Sequence, residues 1–265
     1  ARAVIENSRV SPGDRVLVPE PSFGEYAREV RLQGGTPEFV PHDELLETDP
    51  AEFALAIVCS PNNPTGDAYD PQRLRAFADR CLDAETPLVV DEAFIGFTDQ
   101  PSLAGRDGVI VLRSLTKLFG LPGLRAGFAV ATGDLRERIE TAAITWGLGW
   151  PAAAVGAHSM DNNSFVAGTR ERVRAERDRL RAVFDSDSRF AVSEPDPPLE
   201  PSNAPFILLD CGSSGAVDEV LASAREADIA LRDARSFEGL DSHVRVAVRT
   251  PEDHDALLEA LDVRE

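Results

Sequence analysis

Lysine is all but missing from this 265-residue sequence: of 27 basic residues only Lys117 is a lysine, and the other 26 are arginines. Cysteine is nearly as scarce, and Cys59, Cys81 and Cys211 are odd in number, far apart and without CxxC spacing. A disulfide framework and a cysteine-based zinc site are therefore excluded, and a reducing, cytoplasmic compartment fits. The four histidines, His42, His158, His243 and His254, form no metal-ligand pattern, so no metal is expected. No apolar run approaches the roughly 20 residues of a membrane-spanning helix, and the longest, such as FALAIVC, have the length of strands. Net positive charge is absent too. A formal charge of -19 repels nucleic acid and anionic membranes, both of which need clustered Lys or Arg, so neither is expected as a partner. The first ten residues, ARAVIENSRV, lack the apolar segment of a signal peptide and read as the end of a helix.

What is present is a globular composition, with 43% hydrophobic and 28% charged residues. The length allows one large domain or two modest ones, and the patterning favours two. In the first half, short apolar runs alternate with helical patterns, which predicts an α/β domain with a mainly parallel sheet. DRVLVPEPSF, ALAIVCSPNNPTG, PLVVDEAF, GVIVLRS and RAGFAVA supply strands. Helices are expected from about Phe23 to Leu32 and over DPQRLRAFADRCL, where an Asp cap and a Pro open the helix. From about Gly168 the pattern becomes that of a smaller α+β unit: a long charged helix, the strands APFILLD and HVRVAVR, and two more helices. SEPDPPLEPSNAP reads as a Pro-rich loop. Residues 1–165 are assigned to the large domain and 166–265 to the small one.

In open α/β sheets ligands sit at the carboxyl ends of the strands, which places Asn62 and Asn63, Asp91, and Ser114 to Lys117 on one rim. Ser114 precedes Lys117 by three residues and Arg125 follows by eight, after a GLPGLR turn that doubles the chain back. A hydroxyl, an amine and a guanidinium converging there suit an anionic group beside an electrophilic carbon. An arbitrary lysine is usually a surface charge, but arginine has replaced every other one. Arginine cannot form a Schiff base, because its guanidinium stays protonated. A phosphate-binding P-loop needs a glycine directly before the lysine, and VLRSLTK has none. β-Lactamase-type Ser-x-x-Lys chemistry needs a second lysine motif. Asp91, at a strand end, is either a helix cap or a functional carboxylate; pyridoxal phosphate would offer its pyridinium nitrogen as partner.

Taken together and in this order, SPNNPTG, VVDEAF and SLTKLFGLPGLRAGF resemble the class I/II family of pyridoxal-phosphate-dependent aminotransferases of fold type I, with the histidinol-phosphate aminotransferase branch as the closest large group. The similarity runs from SPGDRVLVPEPSFGEYAREV to VRVAVRTPEDHDALLEAL. The resemblance implies that pyridoxal 5'-phosphate is the cofactor and that Lys117 holds it covalently. It implies that Asp91 pairs with the pyridine nitrogen, that Asn63 meets the phenolic oxygen, and that Ser114 and Arg125 hold the phosphate. Phe23 would stack on the ring, the alternative being a core aromatic at a helix start. Arg245 would grip the substrate carboxylate or phosphate, unless it is a surface residue in a strand. The resemblance also implies a homodimer, and a further amino-terminal segment with a phosphate-binding turn and an arm reaching a neighbouring subunit. The reading therefore expects a shortened chain or a short family member with an incomplete pocket.

Two departures stand out: Phe94 replaces a tyrosine common in the family, and Arg249 replaces a glycine. With the Pro of GLPGLR they resemble the threonine-phosphate decarboxylase branch, which makes (R)-1-amino-2-propanol phosphate for cobalamin. An extra arginine beside Arg245 suits the dianionic phosphate of a small amino acid, and Arg232 is a further candidate. Arg249 could equally be a surface charge with an acidic neighbour. Decarboxylation of L-threonine O-3-phosphate is the favoured reading, ahead of histidinol-phosphate transamination with 2-oxoglutarate. A non-catalytic protein that keeps only the fold is the rival from another class.

The charge of -19 with lysine nearly absent reads as an acidic, halophilic-type surface, on which salt screens repulsion between carboxylates. Raising KCl from about 0.1 M to about 2 M, which contracts the screening length below 10 Å, is expected to raise the melting temperature. Stability already maximal at low salt contradicts this.

Overall fold

The computed structural model describes residues 10–195, 197 and 199–264. The helix end expected over ARAVIENSRV lies, Val10 apart, outside the described residues.

A six-stranded sheet forms the first unit. Its strands are β1 (Arg15–Glu20), β2 (Thr36–Pro41), β3 (Leu55–Cys59), β5 (Leu88–Asp91), β6 (Val109–Ser114) and β7 (Gly127–Val130), in the order β2-β1-β3-β5-β6-β7. Every pairing is parallel except that of β6 with β7. The short strand β4 (Asp67–Tyr69) stands outside this sheet. The apolar runs are continuous because both faces are covered. Strand periodicity divides their side chains between two cores. Leu17, Ala56, Val58, Leu88, Val90, Val109 and Val111 pack on one face with Phe77 and Cys81 of helix α2 (Pro71–Asp83), after helix α1 (Glu25–Leu32). Val16, Val18, Leu55, Ile57, Val89 and Ile110 face the other way, onto Tyr26 and Val30 of α1. Asp70 caps α2 as expected, accepting from the amides of Gln72 and Arg73, with Pro71 in the first turn.

After α3 (Leu115–Leu118), α4 (Gly133–Ala142) and α5 (Trp150–Met160), the long helix α6 (Asn163–Ser186) leads into a second sheet. α6 begins at Asn163 rather than near Gly168, because the Asn162 side chain accepts from the Phe165 amide and caps it. The division expected between residues 165 and 166 thus falls inside one continuous helix. Its first half is tied to the large unit by Arg170, which donates to the Gly96 carbonyl at 2.7 Å and pairs with Asp99. Leu180, Val183 and Phe184 on its second half enter the core of the small unit.

The small antiparallel sheet contains β8 (Ala191–Val192), β10 (Phe206–Asp210), β11 (Arg232–Asp233) and β12 (His243–Ala247), ordered β11-β12-β10-β8. Helices α7 (Ser214–Glu226) and α8 (Pro251–Ala260) pack on it, α8 behind a Thr250–Asp253 capping box. The Pro-rich stretch is not wholly loop. Within it β9 (Leu199–Pro201) pairs antiparallel with β4, Glu200 opposite Ala68. The partner lies far back in the chain, so no local periodicity announces the strand.

Among the described residues no helix is long and apolar enough to cross a membrane. The parallel direction of β1, β3, β5 and β6 brings their carboxyl ends to one edge of the sheet.

Candidate active site

At that edge lies a cavity of about 600 Å³, lined by Lys117, Phe23, Asn63, Phe94, Arg232 and Arg245 among others. It draws residues from the exits of β1, β3 and β5, from α3, and from β11 and β12 of the small unit.

Ser114 ends β6 and caps α3. Its hydroxyl accepts from the Thr116 amide at 3.3 Å and shares a 2.7 Å hydrogen bond with the Thr116 hydroxyl. That turn presents Lys117 to the cavity, with its Nζ 5.3 Å from the centre of the Phe94 ring. Lys117 is exposed as a residue, yet burial around its amine is the largest cause that holds its pKa below the ordinary lysine value. The charges of Arg245 and Arg125 act in the same direction, and only Asp91 opposes them. The amine therefore gives up its proton more easily than a surface lysine, as a nucleophilic amine requires.

Asp91 ends β5. Its Oδ2 accepts from the Tyr26 hydroxyl at 2.7 Å and its Oδ1 from the Ala93 amide at 3.0 Å. Each oxygen keeps a lone pair for another partner. Phe23 is 39% exposed and edge-on to Tyr26 at 5.5 Å, so it is not a core aromatic. Phe94 is buried against Phe206, and the Arg245 guanidinium lies 4.8 Å above the Phe206 ring. Arg245 is no surface residue either: it donates to the Asn63 side-chain oxygen across the two units. Burial, followed by the charge of Arg232, lowers its pKa. Arg232 donates to the Ser236 hydroxyl at 2.8 Å.

Two arginines stand differently. Arg125 has left-handed backbone, φ 50°, and donates to the Pro122 carbonyl at 3.3 Å. It is exposed and does not line the cavity, but its charge reaches Lys117. Arg249 is not brought to the cavity. It is exposed and paired with Asp253 at 3.0 Å, one turn on in α8, which corrects its placement beside Arg245.

Sequence reasoning missed Tyr26, Glu20 and Glu238. Tyr26 follows Phe23 by three residues, a spacing that puts both on one side of a helical turn and could have pointed to it. Glu20 and Glu238 line the cavity. Burial and then the charge of Glu238 raise the Glu20 pKa.

A desolvated amine, a strand-end carboxylate, an uncovered aromatic face and adjacent guanidiniums fit the aldehyde, ring nitrogen, ring and anionic groups of pyridoxal phosphate. The class defined by this fold and site is that of fold type I pyridoxal-phosphate enzymes. Residues 2–261 match the family described as aminotransferase class I and II, and the chain belongs to that family; its cofactor is pyridoxal 5'-phosphate. Histidinol-phosphate aminotransferase 2 of Archaeoglobus fulgidus is 31% identical over 257 residues, covering 94% of this chain and 70% of that one. A protein of Caldanaerobacter subterraneus, provisionally named a threonine-phosphate decarboxylase, is 31% identical over 263 residues, covering 92% and 69%. In fold, the chain is similar to the crystal structure of L-threonine-O-3-phosphate decarboxylase from Porphyromonas gingivalis. The TM-score is 0.82 at 24% identity, covering 98% of this chain and 79% of that one.

Removing the Arg245 charge relieves part of what disfavours the Lys117 ammonium, so the Lys117 pKa rises. In Arg245→Gln, the pH midpoint for modification of Lys117 by trinitrobenzenesulfonate, read by peptide mapping, is expected to move upward. An unchanged or lower midpoint contradicts the electrostatic coupling.

Proposed function

We propose that this protein decarboxylates L-threonine O-3-phosphate to (R)-1-amino-2-propanol phosphate. The observation that carries the reading is the pair Arg232 and Arg245 in one cavity with Lys117. Burial and the charge of Arg232 both lower the Arg245 pKa, so an anion bound between the two guanidiniums is favoured. A dianionic phosphate satisfies both through forked hydrogen bonds. The cavity suits a small substrate, since cofactor and substrate share about 600 Å³.

In this reading Lys117 would hold the cofactor's aldehyde through its amine, whose pKa is held below the ordinary lysine value. Asp91, fixed by Tyr26 and the Ala93 amide, keeps a proton on the ring nitrogen. Asn63 would hydrogen-bond the phenolic oxygen, Phe23 would cover a ring face, and Ser114 with Arg125, which stand outside the cavity's lining, would hold the phosphate. Bound there, pyridoxal phosphate supplies the electron sink for the pair left at the α-carbon. Arg232 and Arg245 then decide which α-carbon bond stands perpendicular to the ring, because they fix the substrate by its phosphate. Lys117, released with a proton taken from the substrate's ammonium group, would give that proton to the α-carbon after the carboxylate has left as carbon dioxide. Phe94 has no hydroxyl to offer there.

A second reading, histidinol-phosphate transamination with 2-oxoglutarate, has its own support. Glu20 and Glu238 line the same cavity and could accept a hydrogen bond from an imidazole. The chain's relatives include an enzyme of that name.

With pyridoxal phosphate, threonine phosphate and 2-oxoglutarate as amino acceptor, the protein is expected to release carbon dioxide and an amine phosphate, with no keto acid. Formation of a keto acid with glutamate overturns decarboxylation; no visible cofactor band and no effect of Lys117→Ala would favour a protein without activity. Arg232→Gln is expected to raise KM roughly tenfold or more, as a hydrogen bond to a charged group contributes about 1.5–3 kcal/mol.

A further inference from the structure

The two walls that flank Lys117 come from neighbouring strands whose ladder pairing stops before it reaches the cavity. β1 and β3 are neighbours, but their paired register covers only Val16 with Leu55 and Leu17 with Ala56. β1 continues to Glu20 and β3 to Cys59. The chain leaving β1 carries Phe23 and the chain leaving β3 carries Asn63, both of which line the cavity. Ladder hydrogen bonds therefore do not set the distance between these two side chains.

Asn62 fills the gap. It is wholly buried, at 0% exposure, and is adjacent to the residue that the function uses. Its Nδ2 donates to the Pro21 carbonyl at 3.0 Å and to the Thr65 hydroxyl at 2.9 Å, while its Oδ1 accepts from the Ser22 hydroxyl at 3.0 Å. Its main-chain N–H donates to the Asp67 carbonyl at 2.8 Å, and its carbonyl accepts from the Gly66 amide at 3.0 Å. One face of the side-chain amide thus grips the β1 exit immediately before Phe23, and the other grips its own loop. This demands a donor and an acceptor on one short stem. Aspartate has no donor, leucine has neither, and glutamine is a methylene too long. Burial raises the stakes, because each polar group left without a partner there is costly.

We propose that Asn62 is a positioning residue that sets the spacing of Phe23 and Asn63 and, through the Asn63–Arg245 hydrogen bond, the placement of Arg245. The part of this that concerns the cofactor rests on the reading of the cavity given above.

Asn62→Asp keeps the shape and removes the donors, Ser22→Ala removes one bridging hydroxyl, and Ser22→Thr retains it. Amide hydrogen exchange of the cofactor-free protein is read together with pyridoxal phosphate titration by visible absorbance. Asn62→Asp and Ser22→Ala are expected to speed exchange roughly tenfold over residues 22–26 and 62–66, with β5 and β10 unchanged. Both should weaken pyridoxal phosphate binding and shift the pH at which its visible band changes, and Ser22→Thr should restore wild-type values. Uniformly faster exchange in Asn62→Asp, with binding and band pH unmoved in Ser22→Ala, assigns Asn62 a purely structural role and overturns the proposal. So does unchanged exchange in both segments. If the wild-type protein binds no pyridoxal phosphate, the functional reading fails, and the exchange measurement alone decides whether Asn62 couples the two segments.

Discussion

An amine whose pKa is held below the ordinary lysine value is the constraint on which the rest of this site depends. Lys117 lies where burial and the charges of Arg245 and Arg125 all disfavour the ammonium form. An ordinary surface lysine would spend nearly all its time protonated at neutral pH. The fold meets the constraint by bringing the ends of parallel strands to one edge and closing that edge with β12 of the small unit. Arg245 serves twice: its charge acts on Lys117, and its guanidinium donates to Asn63. Removing the small unit would take away Arg245, the first of the two charges that disfavour the ammonium.

The same economy explains the single lysine. As a charge, lysine is replaceable by arginine, and this sequence has made that replacement everywhere else. As a nucleophile it is not, since guanidinium does not deprotonate in proteins. The acidic composition and the cavity's arginines are thus separate requirements: of the arginines that line the cavity, Arg245 is half-buried and has its pKa lowered chiefly by that burial.

Much of the fold was legible because buried parallel strands need continuous apolar runs, and LAIVC, LVVD and VIVLRS provide them. The strand ends likewise announced Asp91 and Ser114 by their sudden polarity. β9 was not legible, because its stability comes from pairing with β4 and not from its own composition. Among the arginines, sequence offered no way to rank Arg249 against Arg232. Both follow or occupy strands, but the start of α8 places Asp253 within reach of Arg249 and holds it at the surface. Arg232 instead donates to the Ser236 hydroxyl and lines the cavity. Tyr26 drew no attention in the sequence; the 2.7 Å hydrogen bond to Asp91 reveals its role. Asn62 was visible as one of a pair, but only the structure shows that Asn63 lines the cavity while Asn62 is buried and bonded to Pro21, Ser22 and Thr65.

The central claim is that Lys117 is the covalent anchor for pyridoxal phosphate. Incubating the protein with pyridoxal phosphate, reducing with borohydride and mapping the peptides by mass spectrometry tests it most directly. The account predicts a stable pyridoxyl phosphate adduct on Lys117 at stoichiometric cofactor, lost in Lys117→Ala. An adduct confined to the amino-terminal amine, or none at all, would contradict it.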